Sequence, residues 1–116
     1  MKMPEAIFEM GLNHKGDVKR AKRMLDTLHG QGATHITIQA VTNFSSVMRD
    51  EAVARAAQNN CLSLEEVIAV LEHGQNLGVV MGVAVVDPDQ VAVFIEAGVK
   101  FFKVLSSDIT YTPLHI

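Results

Sequence analysis

The 116-residue chain predicts an α/β fold of parallel βα repeats. Three observations predict it. Short β-branched runs alternate with longer segments whose apolar residues recur at helical spacing. Capping residues open the helical segments and glycines close them. The passages from helix to strand are written alike, as Gly32-Ala33-Thr34, Gly78-Val79-Val80 and Ala97-Gly98-Val99. The order is βα-βα-βα-β. Strands joined through helices run parallel, and such crossovers are nearly always right-handed.

Each element has its own signal. Ala6 to Gly11 is a short, mostly apolar run closed by glycine, a first strand. Asp17 caps the helix after it, where Val18, Ala21, Met24, Leu25 and Leu28 form the stripe and Gly30 and Gly32 the end. His35 to Gln39 is short and β-branched, a second strand. Residues 40 to 62 are the uneven part: Asn43 to Ser46 is loop-like, and Met48 to Ala57 carries a weak helical stripe. Long loops at the carboxyl ends of parallel strands often carry function. Ser63-Leu64-Glu65-Glu66 is a capping box, followed by a stripe of Val67, Ile68, Leu71 and Leu77 and a stop at Gly78. Val79 to Val86, with Gly82 inside it, is a third strand. Asp87-Pro88-Asp89-Gln90 starts another helix, with Pro at the first helical position. Val91, Phe94 and Ile95 follow, Gly98 ends it, and Phe101 to Leu105 is the fourth strand.

Residues 1–116 are read as a single domain, with roughly 65% of the unfolded surface buried at this size. A doubly wound sheet of four or five strands fits the length, and so does half of a (β/α)8 barrel, which needs about 250 residues when complete. Net charge is −3 and Trp is absent, which argues against a nucleic-acid partner. No apolar run approaches a membrane span, and the first residues lack a secretory core. The lone Cys61 forms no internal disulfide, and a cytoplasmic location is expected.

Polar residues gather at the expected carboxyl ends of the strands, where parallel α/β folds bind ligands. Glu9, Asn13, His14 and Lys15 follow strand one, Gln39 closes strand two and Asp87 closes strand three. Lys103 lies in strand four and leads to Ser106, Ser107 and Asp108. Lys, Ser and backbone N–H groups suit a phosphate or carboxylate, and carboxylates and amides suit sugar hydroxyls. Each residue has a plainer reading. Asp17, Ser63 and Asp87 are helix caps. A carboxylate or ammonium inside an apolar strand is costly unless paired or solvated, so Glu9 and Lys103 are functional or sit on sheet edges. Asn13, His14 and the serines also suit plain turns. His29, His35 and His73 lack metal-ligand spacing and read as surface or packing residues.

Phe8-Glu9-Met10-Gly11-Leu12-Asn13-His14-Lys15-Gly16-Asp17 resembles the opening of the sialic acid synthase family, which reads close to AEIGxNHxGD. Gly32 to Gln39 sits where the family has AGAdaVKFQT, and Cys61 to Glu66 matches its next helix start. Phe102 to Asp108 resembles its fourth strand, FKIaSGD, and Thr110 to Ile116 its TNxPLL. The resemblance covers nearly the whole chain in the family's order. It implies the N-terminal half, about four strands, of a (β/α)8 barrel. The family condenses phosphoenolpyruvate with N-acetylmannosamine, its 6-phosphate or a related amino sugar, giving a nine-carbon 2-keto acid and phosphate. A divalent metal, manganese or magnesium, polarises the sugar aldehyde.

Carried over residue by residue, Lys103 and Ser106 hold the phosphate or carboxylate of phosphoenolpyruvate. Glu9 contacts the amino sugar, and Asp108 lies near the reacting centre. Gln39 keeps its motif place, and Asn13 and His14 shape the first βα loop. Departures are equally specific. Thr37 replaces a second phosphate-holding Lys, Ala40 a Thr, and Ser107 the Gly before the fourth-strand acid. Val83 to Asp87 stands for STPFD and keeps only its Asp. The family's metal-binding histidines lie on later strands. This chain alone is therefore expected not to run the full reaction. The alternative is a non-catalytic half barrel that closes by pairing with a second copy across a two-fold axis, a homodimer.

Overall fold

The computed structural model describes residues 6–40, 61–85 and 87–104. Four strands form one parallel sheet: β1 (Ile7–Glu9), β2 (His35–Ala40), β3 (Val80–Val85) and β4 (Phe101–Lys103). The helices are α1 (Val18–Gly30), α2 (Leu64–Asn76) and α3 (Val91–Glu96), the last preceded by a 3-10 turn at Pro88–Gln90. The loop-like Asn43–Ser46 and the helical reading of 48–57 lie outside the described residues, as do Ser106, Ser107 and Asp108.

Strand order in space is β1-β2-β3-β4, the same as in sequence. This separates the two architectures that the pattern left open. A doubly wound sheet reverses direction at a switch point. Here every crossover steps the same way, and right-handed crossovers then place all the helices on one face. The chain is an α/β unit of the (β/α)8 type, a partial barrel.

The register assigns each face. Ile36 pairs with Met81, Ile38 with Val83, Val83 in turn with Phe102, and Ala40 with Val85. These alternate residues face the helices and are buried, except for the half-buried Phe102. Ala21 and Leu25 of α1, Val67, Val70 and Leu71 of α2, and Phe94 of α3 close the same core. Burying one such large aliphatic or aromatic side chain contributes about 1.5–3 kcal/mol. On α2 the buried stripe is Val67, Val70, Leu71 and Gly74, whereas Ile68 is half-buried. Gly74 is there because Met81 packs on it: a Cβ would lie 2.4 Å from the Met81 sulfur.

The caps form as the residue types dictate. Asp17 accepts from the N–H groups of Lys19 and Arg20 at 2.9 and 3.2 Å. Ser63 and Glu66 make a reciprocal capping box. Asp87 accepts from the Asp89 N–H but caps only the 3-10 turn. The Gln90 side-chain oxygen is buried without a hydrogen bond among the described residues.

Candidate functional site at the carboxyl ends of β1, β2 and β4

On the face away from the helices the register aligns Glu9, Thr37, Gly82 and Phe101 in one row. Gln39, Ala84 and Lys103 form the next row toward the strand ends. Glu9 is the hub. Its Oε1 accepts from the Gly11 N–H at 2.7 Å, and its Oε2 accepts from the Thr37 hydroxyl. The Lys103 ammonium lies 3.6 Å from that Oε2. Thr37 is buried, so an unmade hydroxyl bond there would be costly, and its hydroxyl holds the carboxylate in one orientation. The Glu9 and Lys103 side chains remain 31% and 52% exposed, so their ion pair contributes only about 0–1 kcal/mol. A ligand anion can therefore take over Lys103 at little cost.

A cavity of about 310 Å3 adjoins the cluster, lined by Ile7, Glu9, Thr37, Phe101, Phe102 and Lys103. Its apolar wall exists because Gly82 has no side chain. The Phe101 ring lies where a Gly82 Cβ would be, 2.5 Å from it, and the His35 ring stands 6.3 Å away at a tilt. The composition of β4 already contained this wall, since Phe101 and Lys103 are two residues apart and share a face.

The other proposed site residues are placed differently. Gln39 is half-buried in the Lys103 row. The Asn13 side-chain amide donates to the Met10 carbonyl at 2.9 Å, within the β1–α1 turn. His14 is fully buried, and its Nδ1 accepts from the Gly16 N–H at 3.0 Å. Lys15 and Gly16, both at positive φ, curl the backbone to make that bond. The geometry assigns the His14 proton to Nε2, which has no partner among the described residues. Asn13 and His14 thus build the turn that ends at the Asp17 cap. Neither lines the cavity beside Glu9. His73 bonds Asp26 at 2.7 Å, tying α2 to α1.

Burial pushes the His14 ring below the ordinary histidine pKa, and the Glu66 carboxylate offsets this in part. The folded state therefore favours neutral His14. Its stabilising contribution is complete above about pH 6.5, the unfolded value, and is lost as pH falls from there through the lower folded value. Denaturation midpoints measured down a pH series should fall over that window in the parent chain. In His14→Gln, which carries no titrating ring, the fall should be smaller. Equal pH dependence in the two proteins would refute the assignment.

No family model matches the chain. It is 25% identical over 127 residues to the N,N'-diacetyllegionaminic acid synthase of Campylobacter jejuni, covering 97% of the chain and 38% of that protein. An uncharacterized Methanocaldococcus jannaschii protein is 27% identical over 108 residues, covering 93% of the chain and 32% of that protein. Among solved structures, the N-acetylneuraminic acid (sialic acid) synthetase of Leptospira borgpetersenii superposes with a TM-score of 0.84 at 28% identity, covering 93% of this chain and 38% of that one. A spore coat polysaccharide biosynthesis protein of Chromobacterium violaceum shares the fold at a TM-score of 0.80 and 18% identity, over 97% of this chain and 37% of that one. The chain thus spans about a third or slightly more of each relative's length. Sequence motifs, strand order and these superpositions together relate the chain to the N-terminal half of the barrel domain of the sialic acid synthase family.

Proposed function

We propose that the chain carries part of a phosphoenolpyruvate and amino-sugar site of the sialic acid synthase type. The supporting observation is the Glu9–Thr37–Lys103 cluster on the face away from the helices, in which Glu9 and Lys103 end β1 and β4 and Thr37 lies within β2. Lys103 supplies the cation for a carboxylate or phosphate. When an anion draws Lys103 away, Glu9 is free to accept from a sugar hydroxyl or amide N–H, still oriented by Thr37 and the Gly11 N–H. Ser106 and Asp108 belong to the same proposal and lie outside the described residues.

The described side chains do not fit a divalent metal. No three His, Cys, Asp or Glu residues converge among them. The carboxylate at the cluster, Glu9, already takes Gly11, Thr37 and Lys103. Among the described residues no helix is long and apolar enough to cross a membrane.

Calorimetric titration of the chain with phosphoenolpyruvate tests the proposal, with Lys103→Ala beside it. Saturable binding is expected in the parent chain. A charge-assisted contact of about 1.5–3 kcal/mol should be lost in the variant, which is roughly a ten- to hundredfold weaker Kd. Binding that survives the substitution unchanged would remove Lys103 from the site. No binding by the parent chain would remove the anion role from these residues. The 116 residues are not expected to complete the condensation by themselves.

A further inference from the structure

The β1–α1 turn is a succession of hydrogen bonds that runs from Glu9 to His14. The Glu9 Oε1 accepts from the Gly11 N–H at 2.7 Å. The Met10 carbonyl accepts from the Asn13 N–H at 3.2 Å and from the Asn13 side-chain amide at 2.9 Å. The Leu12 carbonyl accepts from the Lys15 N–H at 3.0 Å, and the His14 carbonyl from the Asp17 N–H at 3.1 Å. The His14 Nδ1 closes the turn by accepting from the Gly16 N–H at 3.0 Å. Gly11, Lys15 and Gly16 all stand at positive φ. Lys15 carries a Cβ, so its conformation persists only where the surroundings impose it.

His14 fixes this turn to the core, since its side chain and that of Met10 are both buried. Only a neutral ring can accept at Nδ1, because imidazolium carries a hydrogen on both nitrogens. A proton on Nδ1 would meet the Gly16 N–H as donor against donor. Turning the ring over gives no relief, because the buried Nε2 position has no partner among the described residues. The charged group acting on the ring from the neighbouring helix is Glu66 of α2, whose carboxylate also accepts from the Ser63 N–H at 3.0 Å. Within the turn, Asp17 is engaged with the first N–H groups of α1, and Lys15 adjoins His14 in sequence. Burial outweighs the pull of Glu66, so the ring charges in acid and not at neutral pH.

We propose that neutral His14 is a positioning residue for the Glu9 carboxylate. It acts through Gly16 and the turn back to Gly11, and protonation of the ring frees Glu9 from the Gly11 N–H. Glu9 then keeps Thr37 and Lys103 as partners but loses the contact that fixes its other oxygen. Acid thereby loosens the cluster without touching it. The inference rests on Glu9 being a ligand-facing carboxylate, yet its test contains no ligand. A chain that binds no phosphoenolpyruvate and still links Glu9 to His14 would strike that reading and leave this one standing.

The test is an amide and histidine-ring NMR titration of the 116-residue protein from neutral pH downward, with circular dichroism to show that it stays folded. The Gly16 and Gly11 amides should shift together, with the midpoint of the His14 ring, below about pH 6.5. In His14→Asn the side-chain oxygen can still accept from an N–H two residues on, and nothing titrates at that position. The Gly11 step should vanish there. A Gly11 amide that holds still while Gly16 moves would overturn the proposal. So would a Gly11 step that follows the ring of His29, His35 or His73, one that persists in a folded His14→Asn protein, or a His14 ring that stays neutral until the chain unfolds. Should His14→Asn not fold, the comparison of Gly11 with the assigned rings in the parent chain decides the matter.

Discussion

Phe94→Ala is expected to cost about 3–5 kcal/mol of stability, a large part of the roughly 5–15 kcal/mol that holds a domain together. Phe94 is fully buried and is the buried residue of α3. That helix has six residues and no side-chain cap, so little else secures it locally. Its connection to β4 depends on the same point, since the Phe94 carbonyl accepts from the Val99 N–H at 3.1 Å just before the strand. Truncation therefore leaves a cavity and loosens the strand that carries Lys103. Urea denaturation should show the midpoint drop, while Ile95→Ala, at an exposed neighbour, should stay within about 0.5 kcal/mol of the parent. A Phe94→Ala protein within 1 kcal/mol of the parent, roughly, would show that α3 is held by something other than this ring.

Thr37→Lys should tighten phosphoenolpyruvate binding by roughly ten- to hundredfold, the value of one added charge-assisted contact. Thr37 sits between Glu9 and Gly82 in the register, at the centre of the inner row. A lysine there loses the hydroxyl bond to Glu9 but gains the Glu9 carboxylate as an ion-pair partner. Two cations then face one carboxylate, and the cluster changes from balanced to positive. The longer side chain reaches along the strand toward its carboxyl end by burying its stem and presenting its head to water. Calorimetry on the two proteins measures the difference. Equal or weaker affinity in a folded Thr37→Lys protein would show that charge at this position does not limit the binding of the anion.

The alternation of strands and helices was legible because caps, stripes and glycines agreed with one another. Asp17 and Ser63 act where their spacing places them. Strand ends were less legible. β1 and β4 contain three residues each, because pairing and not propensity sets their length. The buried stripe of α2 includes Val70 and Gly74 and leaves Ile68 half-buried, and Gly74 is covered by Met81, a contact between residues that no helical period relates. Periodicity could not decide between an open sheet and a partial barrel, since strand order is a property of space. The charges of Glu9 and Lys103 inside apolar strands identified them as needing partners. Their being each other's partner could not be read, because two whole strands separate them in the sheet. Asn13 and His14 stand within the β1–α1 turn, where an Asn13 amide N–H bonds the Met10 carbonyl and the His14 Nδ1 accepts from the Gly16 N–H, bonds that the sequence pattern did not reveal.

Strand length also sets a gradient of local opening free energy across the sheet. β2 and β3 have six residues each and a hydrogen-bonded neighbour on both sides, whereas β1 and β4 have three residues and one described neighbour each. Opening is cheapest where buried contacts and paired backbone are fewest. Glu9 and Lys103 are thus the terminal residues of the two most easily frayed strands. Their ion pair spans the sheet from one fraying end to the other, so anything that pins either perimeter strand also sharpens the positions of both charged groups. By thermodynamic linkage, occupancy of the cluster then strengthens whatever pins those strands, and the reverse holds by the same amount.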